Sequence, residues 1–304
     1  MNERNALVSV IIPTYYRNDL LVDTLQSVQN QVYGPIEIIV VDDSGEANAQ
    51  PVANDFPDIE FIALERNCGA QNARTVGARR ANGQYIHFLD DDDRMLPEKL
   101  SRQVPVLQRT EQTGVVYTGI KHKGGRTTLP DPDGRGDVLQ KALIFSLWPC
   151  MTSTMLIETE LVEALLPFSD RGGAHDLEMM IQFADRTNFD YVDAPLLYKR
   201  INMSSLGHSM TASEARKRLI RAYSSLYANY PESVRKAALA NTHETEAELR
   251  IKKEGWSLRA ILSLLKYVFY TPNTGLAPLI KLLAGCFGRP GWTFLNWLDQ
   301  AIDS

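Results

Sequence analysis

Residues 85–93 form a short apolar run, Tyr85 to Leu89, that ends in four consecutive carboxylates, Asp90, Asp91, Asp92 and Asp93. A run of this length reads as a buried strand. Four adjacent aspartates at its tip repel one another unless water or a cation lies among them. If the chain stays extended through Asp92, alternate side chains project to one side, and Asp90 and Asp92 face a common ligand. The donors are carboxylate oxygens, with His87 the one nitrogen ligand nearby, a set that favours Mg2+ or Mn2+ over Zn2+. Such ions retain water and accept phosphate oxygens. On these residues alone, a solvated acidic turn after an edge strand is the alternative.

The elements that must position this tip precede it in the chain. Leu7 to Ile12 reads as a buried strand, and Pro13, which has no N–H, is expected to begin a loop through Asn18. Asn18 or Asp19 is expected to cap a helix to Gln31, with Leu20, Leu21, Leu25 and Val28 inward. Ile36 to Val41 is a second strand ending in Asp42 and Asp43, followed by a helix to Asp55. Ile59 to Leu64 is a third strand. Asn67-Cys68-Gly69 then turns into a helix over residues 70–81, and Asn82-Gly83 delivers the chain into the aspartate-tipped strand. This alternation predicts a parallel, doubly wound sheet, whose ligands bind at the carboxyl ends of the strands. Thr14 and Arg17, Asp42 and Asp43, and Asp90 to Asp93 occupy three of those ends. No GxGxxG and no GxxxxGK[ST] follows a strand, which disfavours a dinucleotide-binding Rossmann unit and a P-loop.

The set VSVIIPTY, IIVVDDS, NCGAQNARTVGA and FLDDDDRMLPEKL, in that order over residues 7–105, resembles the nucleotide-sugar half of the family 2 glycosyltransferases of GT-A fold. The resemblance implies a doubly wound mixed sheet with an acceptor half and a C-terminal helical extension. It implies inverting transfer from a nucleoside diphosphate sugar, UDP-linked, with Mn2+ or Mg2+ as cofactor. By the same resemblance Pro13, Thr14 and Arg17 lie around the uracil and ribose, Asp42 reads the uracil, and Asn67, Gly69 and Arg74 shape the diphosphate side. In the family's D-x-D signature Asp90 matches the residue near the ribose and Asp92 the metal ligand. Asp91 lies between them, and Asp43 and Asp93 could share these roles.

Farther on, helices are expected over residues 97–109 and 137–147 and strands over 115–118, 152–157 and 189–192. Lys121 to Thr128 reads as a hairpin around Gly124-Gly125. Trp148, beside a proline, suits either a sugar platform or an ordinary core position. Phe168 to Glu178 opens an amphipathic helix with Leu177, Met180, Ile181 and Ala184 inward, and Asp176 sits in its first turn, where the helix dipole favours the ionised form. A plain helix cap is the other reading of Asp176. The resemblance implies that Asp176 is the catalytic base, with His175 standing where the family has Glu. Near the end of the domain Asn202 stands where the family has a His that reaches the diphosphate, and Arg200 or His208 is a candidate replacement. No Q-x-x-R-W motif occurs, so one transfer per encounter is expected. A nucleotide-sugar-binding protein without catalysis, and a nucleotidyltransferase on a similar sheet, are the rival classes.

The 304 residues carry a formal charge of −5, and with no overall basic footprint nucleic acid is an improbable partner. Three separated cysteines give neither a disulfide framework nor a zinc knuckle, and the amino terminus has no signal-peptide pattern, so a cytoplasmic protein is expected. Two regions are expected, a catalytic domain over 1–210 and a helical region over 211–304. From Arg250 to Pro290 seven Lys and Arg stand against Glu254 alone. Trp256 to Tyr270 and Leu276 to Phe287 are apolar helices too short to span a bilayer. They suit the cytoplasmic face of a membrane, where a lipid-linked glycan would be the acceptor. Packing on the catalytic domain or on a second copy in a homo-oligomer is the alternative.

Overall fold

The structure, a computed structural model, describes residues 5–200, 211–272 and 275–302. Asn202 and His208 lie outside the described residues. The chain divides into two compact units, one of residues 1–142, 147–170 and 175–201, the other of residues 143–146, 171–174 and 202–304.

The first unit is built on a nine-stranded mixed sheet. In chain order its strands are β1 (Val8–Thr14), β2 (Ile36–Asp42), β3 (Ile59–Ala63), β4 (Tyr85–Phe88), β5 (Asp93–Met95), β6 (Thr113–His122), β7 (Thr127–Thr128), β8 (Leu156–Glu158) and β9 (Asn188–Lys199). They lie in the order β3-β2-β1-β4-β8-β6-β9-β5, with β7 paired to β6 as a hairpin. The first four strands are parallel, whereas β8 runs antiparallel to both its neighbours. The helices are α1 (Asn18–Gln29), α2 (Gln50–Asn54), α3 (Ala70–Arg80), α4 (Lys99–Arg109), α5 (Leu139–Leu143), α6 (Thr159–Glu163) and α7 (His175–Ala184).

Every residue of β1 is buried, as expected for a central strand covered on both faces. Val8, Val10 and Ile12 join one core cluster with Leu21, Leu25 and Val28 of α1 and Leu100, Val104 and Leu107 of α4. Ile11 points to the other face, where α3 comes so close that a Cβ on Gly77 would lie 2.4 Å from its Cγ2. The period of two thus places α1 and α4 on one side of the sheet and α3 on the other.

Several elements depart from expectation. Pro13 does not stop β1, because backbone direction alternates along a strand. Ile11 O accepts from Leu89 N on the β4 side, and Thr14 O accepts from Asp43 N on the β2 side. Pro13 therefore faces the β4 side, beyond the end of that strand at Phe88, where no donor is needed. The N-cap of α1 is Arg17, without a side-chain cap, since the Asn18 amide donates instead to Asn48 O at 3.0 Å. The helix expected over 137–147 shrinks to the five residues of α5, and the strand expected from Thr152 begins as a 3-10 turn, Thr152–Thr154, before β8. The chain also turns at the acidic run, with Asp93 N donating to Asp90 O at 3.1 Å.

The second unit contains α8 (Thr211–Ala222), α9 (Ser224–Tyr227), α10 (Glu232–Glu254), α11 (Leu258–Tyr270), α12 (Leu276–Cys286) and α13 (Gly288–Ile302). Its core joins Ala240, Ala247 and Ile251 of α10 to Ala260, Leu264 and Tyr267 of α11 and to Trp292 of α13. Leu219 and Tyr227 are buried, whereas Tyr223 and Leu226 are half-buried. Among the described residues no helix is long and apolar enough to cross a membrane.

Candidate active site

The parallel register brings the polar strand ends together. Thr14 and Asp42 are opposite one another at the tips of β1 and β2, and the acidic run leaves β4 on the other side of β1. Strand order reverses between β1 and β4, so these residues sit at the switch point where ligands enter such sheets. Thr14 Oγ1 spans it, donating to Asp91 Oδ2 at 2.9 Å. Thr24 on α1 fixes the turn from below, its hydroxyl shared between Asp91 O and Asp93 O at 2.9 and 2.8 Å.

Each aspartate of the run has a cation or hydroxyl partner. Arg17 Nη1 donates to Asp91 Oδ1 at 3.0 Å and to Asp92 Oδ2 at 3.2 Å. Arg74, buried on α3, donates from Nη2 to Asp90 Oδ1 at 2.7 Å, while its buried Nε has no partner among the described residues. Lys199, at the end of β9, lies 3.2 Å from Asp93 Oδ2. Asp90, Asp92 and Asp93 can each place an oxygen within 4.8 Å of the others, although the turn, and not an extended chain, assembles them. His87 takes no part. It is fully buried, its Nδ1 2.6 Å from Met155 O, and burial together with the Lys99 charge pushes its pKa well below the usual histidine value.

Asp176 belongs to the same electrostatic unit. Burial raises its pKa, the Asp90 charge raises it further, and Arg74 and Lys199 oppose both. Thr152 Oγ1 donates to Asp176 Oδ1, and the neighbouring Ser153 Oγ accepts from Asp90 N at 3.2 Å. Burial pushes Asp91 up to about 6 despite Arg17 and raises Asp93 despite Lys199. For Asp90, burial is outweighed by Arg74 and Lys199, which hold it below the usual value. Lys199 is pushed up to about 12, because Asp93, Asp90, Asp176 and Asp92 outweigh its burial. With all five carboxylates ionised, the three cations around them would leave two negative charges. An all-oxygen donor set fits a hard divalent cation, and Asp90, Asp92 and Asp93 are the residues that could hold one.

The remaining expected residues are placed as follows. Pro13 is buried beside Thr14. Asp42 is buried with both oxygens on its own loop, accepting from Ser44 N at 2.8 Å and Ala49 N at 2.7 Å. Asp43 accepts from Cys68 N and Gly69 N at 2.7 and 2.8 Å and so ties the β3–α3 loop to β2. Asn67 Oδ1 also accepts from Gly69 N, at 3.2 Å. Gly69 has φ +86°, and a Cβ there would lie 3.2 Å from Asp170 Oδ2. Asp170 pairs in turn with His175 Nε2 at 3.0 Å. Trp148 is 52% exposed, which excludes the core position. Arg200 is turned away to Asp23 on α1, and its neighbour Lys199 occupies the acidic cluster.

Sequence reasoning passed over Lys199, Thr152 and Ser153. The signal for the last two was three hydroxyl residues, Thr152-Ser153-Thr154, flanked by Cys150 and Met151 on one side and Met155 and Leu156 on the other, all three fully buried. Lys199 lies in the stretch that resembles the family's end of domain, but the resemblance points there to Arg200 and beyond.

Residues 9–164 match the family described as Glycosyl transferase family 2. The chain belongs to that family. An uncharacterised family relative from Rickettsia typhi is 27% identical over 84% of this glycosyltransferase and 83% of its own length. The Escherichia coli UDP-Glc:alpha-D-GlcNAc-diphosphoundecaprenol beta-1,3-glucosyltransferase WfaP is 37% identical over 114 residues, 37% of this chain and 45% of WfaP. The mannosyltransferase PcManGT from Pyrobaculum calidifontis, solved with GDP-Man and Mn2+, superimposes with a TM-score of 0.56 at 18% identity, over 93% of this glycosyltransferase and 88% of PcManGT. The fold is of GT-A type.

Proposed function

We propose that this family 2 glycosyltransferase transfers one sugar per encounter, with inversion, from a UDP-sugar to a hydroxyl or phosphate of a lipid-linked glycan at the cytoplasmic face of a membrane. The observation that carries the reading is the convergence of Asp176 with the Asp90–Asp93 turn at the switch point of the sheet. Asp176 is the base. Its raised pKa makes it a better proton acceptor than a solvated carboxylate, and the Thr152 hydroxyl holds one of its oxygens in place. The acceptor hydroxyl gives its proton to Asp176 as its oxygen forms the bond to the anomeric carbon. The bond from that carbon to the diphosphate breaks on the opposite face, and the nucleoside diphosphate leaves with the electron pair. One displacement inverts the centre, and no second carboxylate acid is required.

Asp92, with Asp90 and Asp93 around it, would hold Mn2+ or Mg2+, whose contribution when bound is to neutralise charge growing on the diphosphate. Arg74, whose buried Nε has no partner among the described residues, offers a further donor on that side. Asp42 and Asp43 shape the two loops flanking the nucleoside, and the half-exposed Trp148 offers a face to a sugar ring. WfaP, whose name records a UDP-sugar donor and a diphosphoundecaprenol acceptor, supports the choice of both classes, and PcManGT supports the divalent ion. The test is a donor screen that measures UDP release with and without Mn2+. Metal-stimulated release from at least one UDP-sugar is expected. UDP binding without release from any donor would identify a binding protein instead.

A further inference from the structure

Helices α11 to α13 leave apolar surface uncovered. Among the described residues seventeen large hydrophobic side chains are exposed, and twelve of them lie between Trp256 and Trp297. On α11, Ala260, Ser263, Leu264 and Tyr267 are buried, whereas Leu258, Leu262, Leu265 and Phe269 are exposed, Phe269 by 78%. Steps of four, three and four residues gather these four into a stripe about 60° wide on the side opposite the buried one. The pattern recurs on α12, where Pro278 and Gly285 are buried and Leu276, Ile280 and Leu283 are exposed. An ordinary surface helix is apolar on one face and polar on the other. These two are apolar on both, and a patch of that kind in a soluble domain marks an interaction site.

The charges select the occupant. Arg259 and Lys266 are exposed and seven residues apart on α11, which sets them in a row along one edge of its stripe, roughly 80° from the middle. Lys252, Lys253 and Arg289 are also exposed, and Glu254 is the one acidic residue from Arg250 to Pro290. A second copy meeting this face by two-fold symmetry would bring like charges together at the rim. An anionic lipid surface satisfies the apolar stripes and the basic edge at once.

We propose that α11 to α13 form a monotopic docking face for a bilayer containing anionic phospholipid, with the leucine and phenylalanine stripes among the upper acyl chains and Arg259 and Lys266 at the phosphates. The face deepens the membrane part of the proposed function, on which its setting rests, and uses none of the residues of the transfer site. Vesicle binding is scored without donor or acceptor, so docking or transfer can fail while the other stands.

The experiment floats the full-length protein with vesicles of phosphatidylcholine alone and of phosphatidylcholine mixed with phosphatidylglycerol, across a salt series. The wild type is expected to float with the mixed vesicles and only weakly with the neutral ones. Leu262→Glu with Leu265→Glu should lower partitioning roughly tenfold or more. Arg259→Glu with Lys266→Glu should lower it by a similar factor at low salt and by less at high salt. All four side chains are exposed, and unchanged thermal melting verifies folding; should the apolar variant fail to fold, the charge variant decides alone. Equal flotation of variants and wild type overturns the proposal, as does equal flotation with both vesicles. So does an absence of flotation accompanied by a dimer that the leucine variant splits, which would make the face an interface between copies.

Discussion

At the scale of single residues the site separates into groups that touch the chemistry and groups that hold them. In the proposed site Asp92→Asn removes a charged ligand of the ion without touching the loops tied by Asp42 and Asp43. Turnover should be lost, and UDP affinity should fall mainly in the presence of Mn2+, as titration calorimetry with and without the ion will show; equal affinities in saturating Mn2+ would falsify the ligand assignment. Asp176→Asn should lower kcat by roughly a hundredfold or more while donor affinity stays near the wild-type value. A change confined to melting temperature would instead mark a helix cap. Thr152 acts through Asp176. Its hydroxyl favours the ionised carboxylate, so Thr152→Val should raise the pKa on the acid limb of the kcat profile and lower kcat by about tenfold, whereas Thr152→Ser restores both. An unshifted profile for Thr152→Val would reduce this residue to a packing role. The Asp90–Asp93 run stood out in the sequence as a local pattern, and Asp176 was singled out by the family resemblance, since a carboxylate in the first turn of a helix reads equally well as a cap. Lys199 and Thr152 were not, since each acquires its meaning only from the aspartate it meets.

At the scale of elements, the alternation of apolar strands and amphipathic helices over the first ninety residues was readable, and with it the parallel pairing of the first four strands, whose order β3-β2-β1-β4 came from the fold. The return half was harder. Its strand β8 has three residues and its helix α5 five, too short for either period to show. Close helix–sheet approach gives a further test. A methyl on Gly77 of α3 would lie 2.4 Å from Ile11 Cγ2 and 3.2 Å from Val41 Cγ2, and overpacking of this kind costs about 1–3 kcal/mol. Gly77→Ala should therefore lower the melting temperature by several degrees while UDP affinity, measured well below the transition, is retained. An unchanged melting curve would mean that α3 can shift outward without loss.

At the scale of the whole molecule, the acidic cluster couples stability to pH and metal. Asp91, Asp93 and Asp176 have folded-state pKa values above the ordinary 3.8, so in the metal-free protein they bind more protons folded than unfolded between about pH 4 and their raised values. Their stabilising contribution is present on the acid side of that window and is lost as pH rises through about 6 and beyond. Glu246 works in the opposite direction. Its folded pKa is lowered to about 2 by the neighbouring His243, whose Nδ1 lies 3.7 Å away, and by Lys217 and Arg250, so its contribution holds above about 4.5 and disappears as pH falls towards 2. Melting of the metal-free protein should therefore peak near pH 5 and decline towards pH 8, and Mn2+ should raise the melting temperature more at pH 8 than at pH 5, because it competes with protons for the same carboxylates. A metal-induced gain independent of pH would place the ion elsewhere. What the sequence determined by itself was the parallel first half of the sheet and the placing of carboxylates at strand tips, because short apolar runs, glycine punctuation and charge clusters act within a few residues of themselves; the family came from the resemblance of its motifs. Only the tertiary structure decided which cations neutralise those carboxylates and which face of α11 and α12 stays uncovered. A charge chooses its partner across the fold, and a helix that is apolar on two sides does not specify which of them its neighbours will bury.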